Sequence, residues 1–139
     1  MKRKIATMLT IVAATLIMIS TSAFASSGTG IVKVGLDSRM KQAETDITRT
    51  GRYSYVMVGV GSVYPVGTYS EDTYTRCKTR IYHSDISNKV ISDRYVLTEG
   101  ANYKIPLYEG YLNLTRVDLC FAGNNPDLEA YVVYSYDGK

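Results

Sequence analysis

The chain has 139 residues, a formal net charge of +3, 13 tyrosines, one histidine, two cysteines and no tryptophan. Lys2, Arg3 and Lys4 account for the whole basic excess; the remainder is balanced and gives no reason to expect nucleic acid or an anionic membrane surface as the partner. One histidine and two cysteines leave almost nothing for a metal site of those ligands, and no cofactor is expected.

In chain order, residues 1–25 read as a secretory signal peptide. Lys2, Arg3 and Lys4 form its positive start, residues 5–19 an apolar stretch, and Ala23-Phe24-Ala25 a cleavage site with small residues at both recognition positions. Thr7, Thr10 and Thr15 interrupt the apolar stretch, which falls short of the roughly 20 apolar residues of a spanning helix. The expectation is a secreted, extracellular protein, with cell-surface association open and no membrane span after cleavage. Residues 26–30, Ser-Ser-Gly-Thr-Gly, read as a flexible leader, and 31–139 as one domain.

Period-two alternation of Val, Tyr, Thr and Ile between Gly, Asn, Asp and Pro then predicts strands. The first covers 31–36. Over 37–50, Leu36, Met40, Ala43 and Ile47 recur at helical spacing while Thr45, Ile47, Thr48 and Thr50 favour an extended chain; strand is preferred. Residues 52–64 place Val56, Val58 and Val60 on one face and Tyr53, Tyr55 and Met57 on the other, the pattern of a strand covered on both sides. Gly59 and Gly61 within it indicate a bulge or a close backbone approach. Further strands are predicted at 73–83, 89–97, 103–108, 112–122 and 128–136, with turns at Glu99-Gly100-Ala101-Asn102 and Gly123-Asn124-Asn125-Pro126-Asp127. Seven or eight short strands fit an all-β fold, a two-sheet antiparallel β-sandwich or jelly-roll-like domain, with a small β-barrel as the alternative.

Cys77 and Cys120 are the one intrachain pair available, and export favours a disulfide between them. Such a bridge contributes about 4 kcal/mol on chain-entropy grounds. Alternation conflicts with a bridge in the core: Val117, Leu119 and Phe121 read as buried, which puts Cys120 with Arg116 and Asp118 on the other face, whereas Cys77 shares its face with Thr75, Thr79 and Ile81; either a bulge shifts the register, or the bridge joins the outer face or a sheet edge.

Catalytic candidates are weak. His83 lies in Tyr82-His83-Ser84-Asp85, which reads as a turn closing a strand, and no G-x-S-x-G elbow is present. Glu71, Asp72, Asp85, Asp93, Glu99, Glu109, Asp118, Asp127 and Glu129 offer many carboxylate pairs and no distinctive one. The donors Asn124, Asn125 and Asp127 are explained by a turn without a calcium ion. The chain is therefore expected not to be an enzyme.

Tyrosine is abundant, as pairs Tyr53 with Tyr55, Tyr134 with Tyr136 and Tyr108 with Tyr111. Its amphipathic ring suits sugar or protein surfaces, although cross-strand aromatic pairs also simply stabilise sheets. The most specific surface feature is a stripe of Arg76, Lys78 and Arg80 between Tyr74 and Tyr82, five outward positions spanning roughly 27 Å. It suits an anionic polymer, though edge strands also carry basic residues to discourage self-pairing. The expected function is recognition of cell-envelope carbohydrate or anionic polymer. The alternative is a protein-directed secreted effector, bacteriocin-like, inhibitor or toxin-like, and self-assembly along an uncovered strand edge is a third reading.

Overall fold

Among the described residues the alternation resolves into eight strands: β1 (Ser27–Val34), β2 (Lys41–Thr48), β3 (Tyr55–Pro65), β4 (Arg76–His83), β5 (Tyr95–Thr98), β6 (Ala101–Pro106), β7 (Arg116–Gly123) and β8 (Ala130–Asp137). The computed structural model describes residues 25–36, 39–67 and 75–139. The expected signal segment, Ala25 apart, lies outside the described residues, as do Glu71, Asp72 and Tyr74. Every strand pairing is antiparallel, in two four-stranded sheets of order β1-β8-β3-β6 and β2-β7-β4-β5. Each sheet keeps two edges, so the fold is the jelly-roll-like sandwich and not the barrel.

Packing the sheets face to face buries one side of each. Val34, Val56, Val58, Ile105 and Val132 from one sheet meet Ile47, Cys77, Ile81, Leu97, Val117, Leu119 and Phe121 from the other. Strand β3 lies between β8 and β6, as its two apolar faces predict. The expected irregularity is a bulge between Val60 and Ser62. Gly59 is a close approach as well, because a Cβ there would overlap the side chains of Ser135 and Asn102. The ambiguous segment is strand β2, twice shifted in register against β7. Asp46 takes φ 54° at the second shift, a left-handed conformation that Asp tolerates better than most residues.

Two expectations change. The strand predicted over 89–97 is reduced to isolated bridges at Val90 and Ser92 followed by β5. Ser92 is fully buried, and its hydroxyl accepts from the Ile81 amide at 2.8 Å and donates to the Asp93 carbonyl at 2.9 Å, replacing ladder bonds with side-chain ones.

The leader over 26–30 is also corrected. Ser27 to Gly30 open β1 and pair in register with β8, Gly28 opposite Tyr136 and Gly30 opposite Tyr134. These glycines make room for rings. A Cβ at Gly30 would overlap the Tyr134 phenol, whose hydroxyl is fixed by bonds to the Ala43 carbonyl at 3.1 Å and Glu44 Oε1 at 2.7 Å, with the ring 5.0 Å from Phe121. Gly30→Ala must displace a pinned ring, so it lowers unfolding free energy by about 2 kcal/mol, read from urea denaturation. A loss under about 0.5 kcal/mol would mean that the ring is free to move.

Candidate functional site

Strand β4 carries the basic stripe because its alternation is strict. Cys77, Thr79 and Ile81 point into the core at 0% exposure, leaving Arg76, Lys78, Arg80 and Tyr82 on the outer face. Register places Thr98 and Val96 of β5 beside Arg76 and Lys78, and Ala122, Cys120 and Asp118 of β7 beside Lys78, Arg80 and Tyr82.

The stripe is divided electrostatically. At the Tyr82 end the acids gather: Arg116 pairs with Asp85 at 2.5 Å and Asp46 at 3.3 Å. Asp118 accepts from Gln42 at 2.8 Å, from the Asp46 amide at 3.0 Å and from Ser84 Oγ at 2.6 Å. Arg80 is committed too, its Nε donating to the Ser92 carbonyl at 3.3 Å. Beside it the Tyr108 hydroxyl donates to Asp93 at 2.9 Å. That bond raises the Tyr108 pKa, an effect the positive charge of Arg80 partly opposes. Arg76 and Lys78 make no ion pair among the described residues. Of the four described positions of the stripe, Arg76 and Lys78 thus remain as two neighbouring open cations beside Val96, which is 51% exposed. Sequence reading missed Val96, although Tyr95 and Leu97 alternate with Val96 and Thr98. The anchoring of Arg80 joins separate loops and leaves no trace in local spacing.

The expected Cys77–Cys120 disulfide is corrected: both are free, buried thiols. Cys77 lies opposite Gly123 and Cys120 opposite Arg80, three positions apart along the pair and so on opposite faces of the sheet. That offset is about 10 Å along the strand, beyond the roughly 7 Å limit for bridged Cα atoms.

The remaining candidates separate. His83 ends β4, its Nδ1 accepting from the Asp85 amide at 3.0 Å, while the neighbouring Ser84 hydroxyl is bound to Asp118. The carboxylates serve different partners: Glu99 accepts from the Val63 amide and Glu129 pairs with Lys33. Asn125 Oδ1 accepts from the Asp127 amide at 2.9 Å, an Asx turn. Tyr134 and Tyr136 turn inward. Tyr53 and Tyr55 are in ring contact at 5.4 Å, with Lys139 over the first and Lys104 over the second. Among the described residues no helix is long and apolar enough to cross a membrane.

No family model matches the chain, and no curated protein does. A solved structure described by the words "Bacillus endospore appendages form a novel family of disulfide-linked pili" aligns with TM-score 0.40 at 7% identity, covering 86% of this chain and 93% of that one. So shallow an overlap assigns neither fold nor function.

Proposed function

We propose that this is an exported, non-enzymatic binding domain that holds an anionic cell-envelope polymer on the outer face of the β2-β7-β4-β5 sheet. The observation that carries the reading is the pair Arg76 and Lys78, two neighbouring outward cations without a carboxylate partner among the described residues. They stand about 6.8 Å apart, close enough to meet adjacent charges of one flexible polyanion. The guanidinium adds a bidentate donor for phosphate or carboxylate. Export is supported by the positive start, apolar stretch and Ala-Phe-Ala site of residues 1–25.

Purified protein incubated with Gram-positive cell walls pellets with them at low salt, and pellets less at moderate salt because exposed charges are screened. Stripping the anionic polymers from the walls abolishes pelleting. Arg76→Gln/Lys78→Gln weakens retention roughly tenfold, the loss of two exposed pairs; Arg80 is left in place because it also holds the Ser92 loop. Protein that stays in the supernatant throughout, or a double variant that pellets unchanged, would defeat the reading. A protein ligand, which exposed Val96 beside Lys78 also suits, is distinguished by loss of binding after protease treatment of the walls.

A further inference from the structure

Four strands end the two sheets, and three of them carry features that prevent a further strand from adding. Strand β5 is four residues long. Strand β6 holds Lys104 and ends at Pro106, which has no amide hydrogen to donate. Strand β2 is broken by two register shifts, carries Asp46 in a left-handed conformation and presents Lys41, Glu44 and Asp46. Of these devices strand β1 has only a lysine. Its eight residues pair one for one with β8 without a shift and contain no proline. Its single charge, Lys33, is engaged by Glu129 at 2.9 Å. At mid-strand Ile31 is 55% exposed beside Val133.

We propose that β1 is a homotypic assembly edge: two copies of this chain pair their β1 strands antiparallel about a two-fold axis at Ile31. The two sheets then join into one eight-stranded sheet of order β6-β3-β8-β1-β1-β8-β3-β6. Such an interface is isologous and closes at the dimer, because each copy spends the same edge. Charge permits it. With the axis at Ile31, Lys33 of one copy faces Thr29 of the other, and no like charges meet. The two Ile31 side chains come together on the outer face and cover one another, while the outward amides and carbonyls of β1 exchange water for each other. The edge lies in the sheet opposite Arg76 and Lys78, so the inference does not depend on the proposed ligand.

Sedimentation of purified protein from about 5 to 500 µM, a range that brackets weak association, tests the pairing. The expected result is a reversible monomer–dimer equilibrium. Ile31→Lys places two like charges at the axis from a solvent-exposed position, and it weakens the dimer at least tenfold while leaving the unfolding midpoint near that of the parent. Ile86→Lys makes the same change at a residue 50% exposed in the turn after β4, and leaves dimerisation as it was. Residue-resolved amide exchange gives a second readout: raising the concentration slows exchange at alternate β1 amides and leaves β2, β5 and β6 unaffected. Sedimentation as monomer over the whole range overturns the proposal. So does a dimer that survives Ile31→Lys, or concentration-dependent protection at any other edge.

Discussion

Replacing Arg49 by methionine lowers the free energy of unfolding by about 3 kcal/mol. Arg49 is 2% exposed, yet no carboxylate among the described residues pairs with it. Its guanidinium is held by carbonyls: Nη1 donates to Leu112 O at 3.2 Å and Leu114 O at 2.8 Å, and Nη2 to Tyr53 O at 2.5 Å. The Arg49 amide donates to Thr115 O at 2.8 Å. One side chain therefore ties the turn after β2 to the loop before β7. Burial lowers its pKa, but a guanidinium starts so high that it stays charged.

Two effects oppose each other in the methionine variant. Removing a desolvated charge is favourable, and buried ions have been replaced by apolar groups without loss. Against that, three charge-assisted bonds disappear together and their part-buried carbonyls must find water, at about 1–3 kcal/mol for each acceptor left unsatisfied. With three acceptors set against one charge, the lost bonds outweigh the relieved desolvation. Nε, buried without a partner, shows that the fit is not ideal and keeps the net loss at the low end of that range. Arg49→Lys keeps the charge but lacks the planar fork, and loses about 2 kcal/mol. Urea midpoints of the three proteins decide the matter. A methionine variant as stable as the parent would mean that Arg49 is a tolerated burial and not a tie between loops.

Legibility followed the range of the interaction. The faces of β4 could be read because a one-residue slip would expose Cys77, Thr79 and Ile81 together. Strand β3 declared itself through valines on one face and tyrosines on the other, and its bulge through Gly61. Strand β1 was not legible in full, since Gly28 and Gly30 look like linker residues until Tyr134 and Tyr136 are laid over them from the far end of the chain. The disulfide expectation failed for an instructive reason. Compartment chemistry favoured a bridge, strand alternation opposed it, and geometry prevailed because a sheet cannot present both faces at one point. In the candidate site, outward placement of Arg76, Lys78 and Arg80 followed from local periodicity, whereas their division into two open cations and one anchored guanidinium depends on Ser92, Asp93 and Tyr108 arriving from elsewhere.

The two unbridged thiols make the fold sensitive to alkali. Burial pushes Cys77 up to about 12, and burial with the nearby Asp118 charge pushes Cys120 up to about 12. An unfolded thiol begins to lose its proton between about pH 8 and 9. Below that range both states keep the proton and the contribution to stability is fully present. Between there and pH 12 the native chain holds protons that the unfolded chain has released, so stability falls as pH rises, by about 1.4 kcal/mol per pH unit for each thiol. Tyr134, raised by burial and by its bond to Glu44, adds a loss of the same sign that starts near pH 10. By pH 11 the thiols alone remove about 5 kcal/mol, comparable with the whole stability of a small domain. Urea unfolding from pH 7 to 11 under a thiol reductant therefore shows a plateau followed by a steep decline above pH 9. In Cys77→Ala/Cys120→Ala the decline is shallower by up to about 2.7 kcal/mol per pH unit, whatever constant amount the substitutions themselves cost at neutral pH. Parallel profiles for the parent and the double variant would show that the thiols ionise alike in both states, and the burial argument for them would fail.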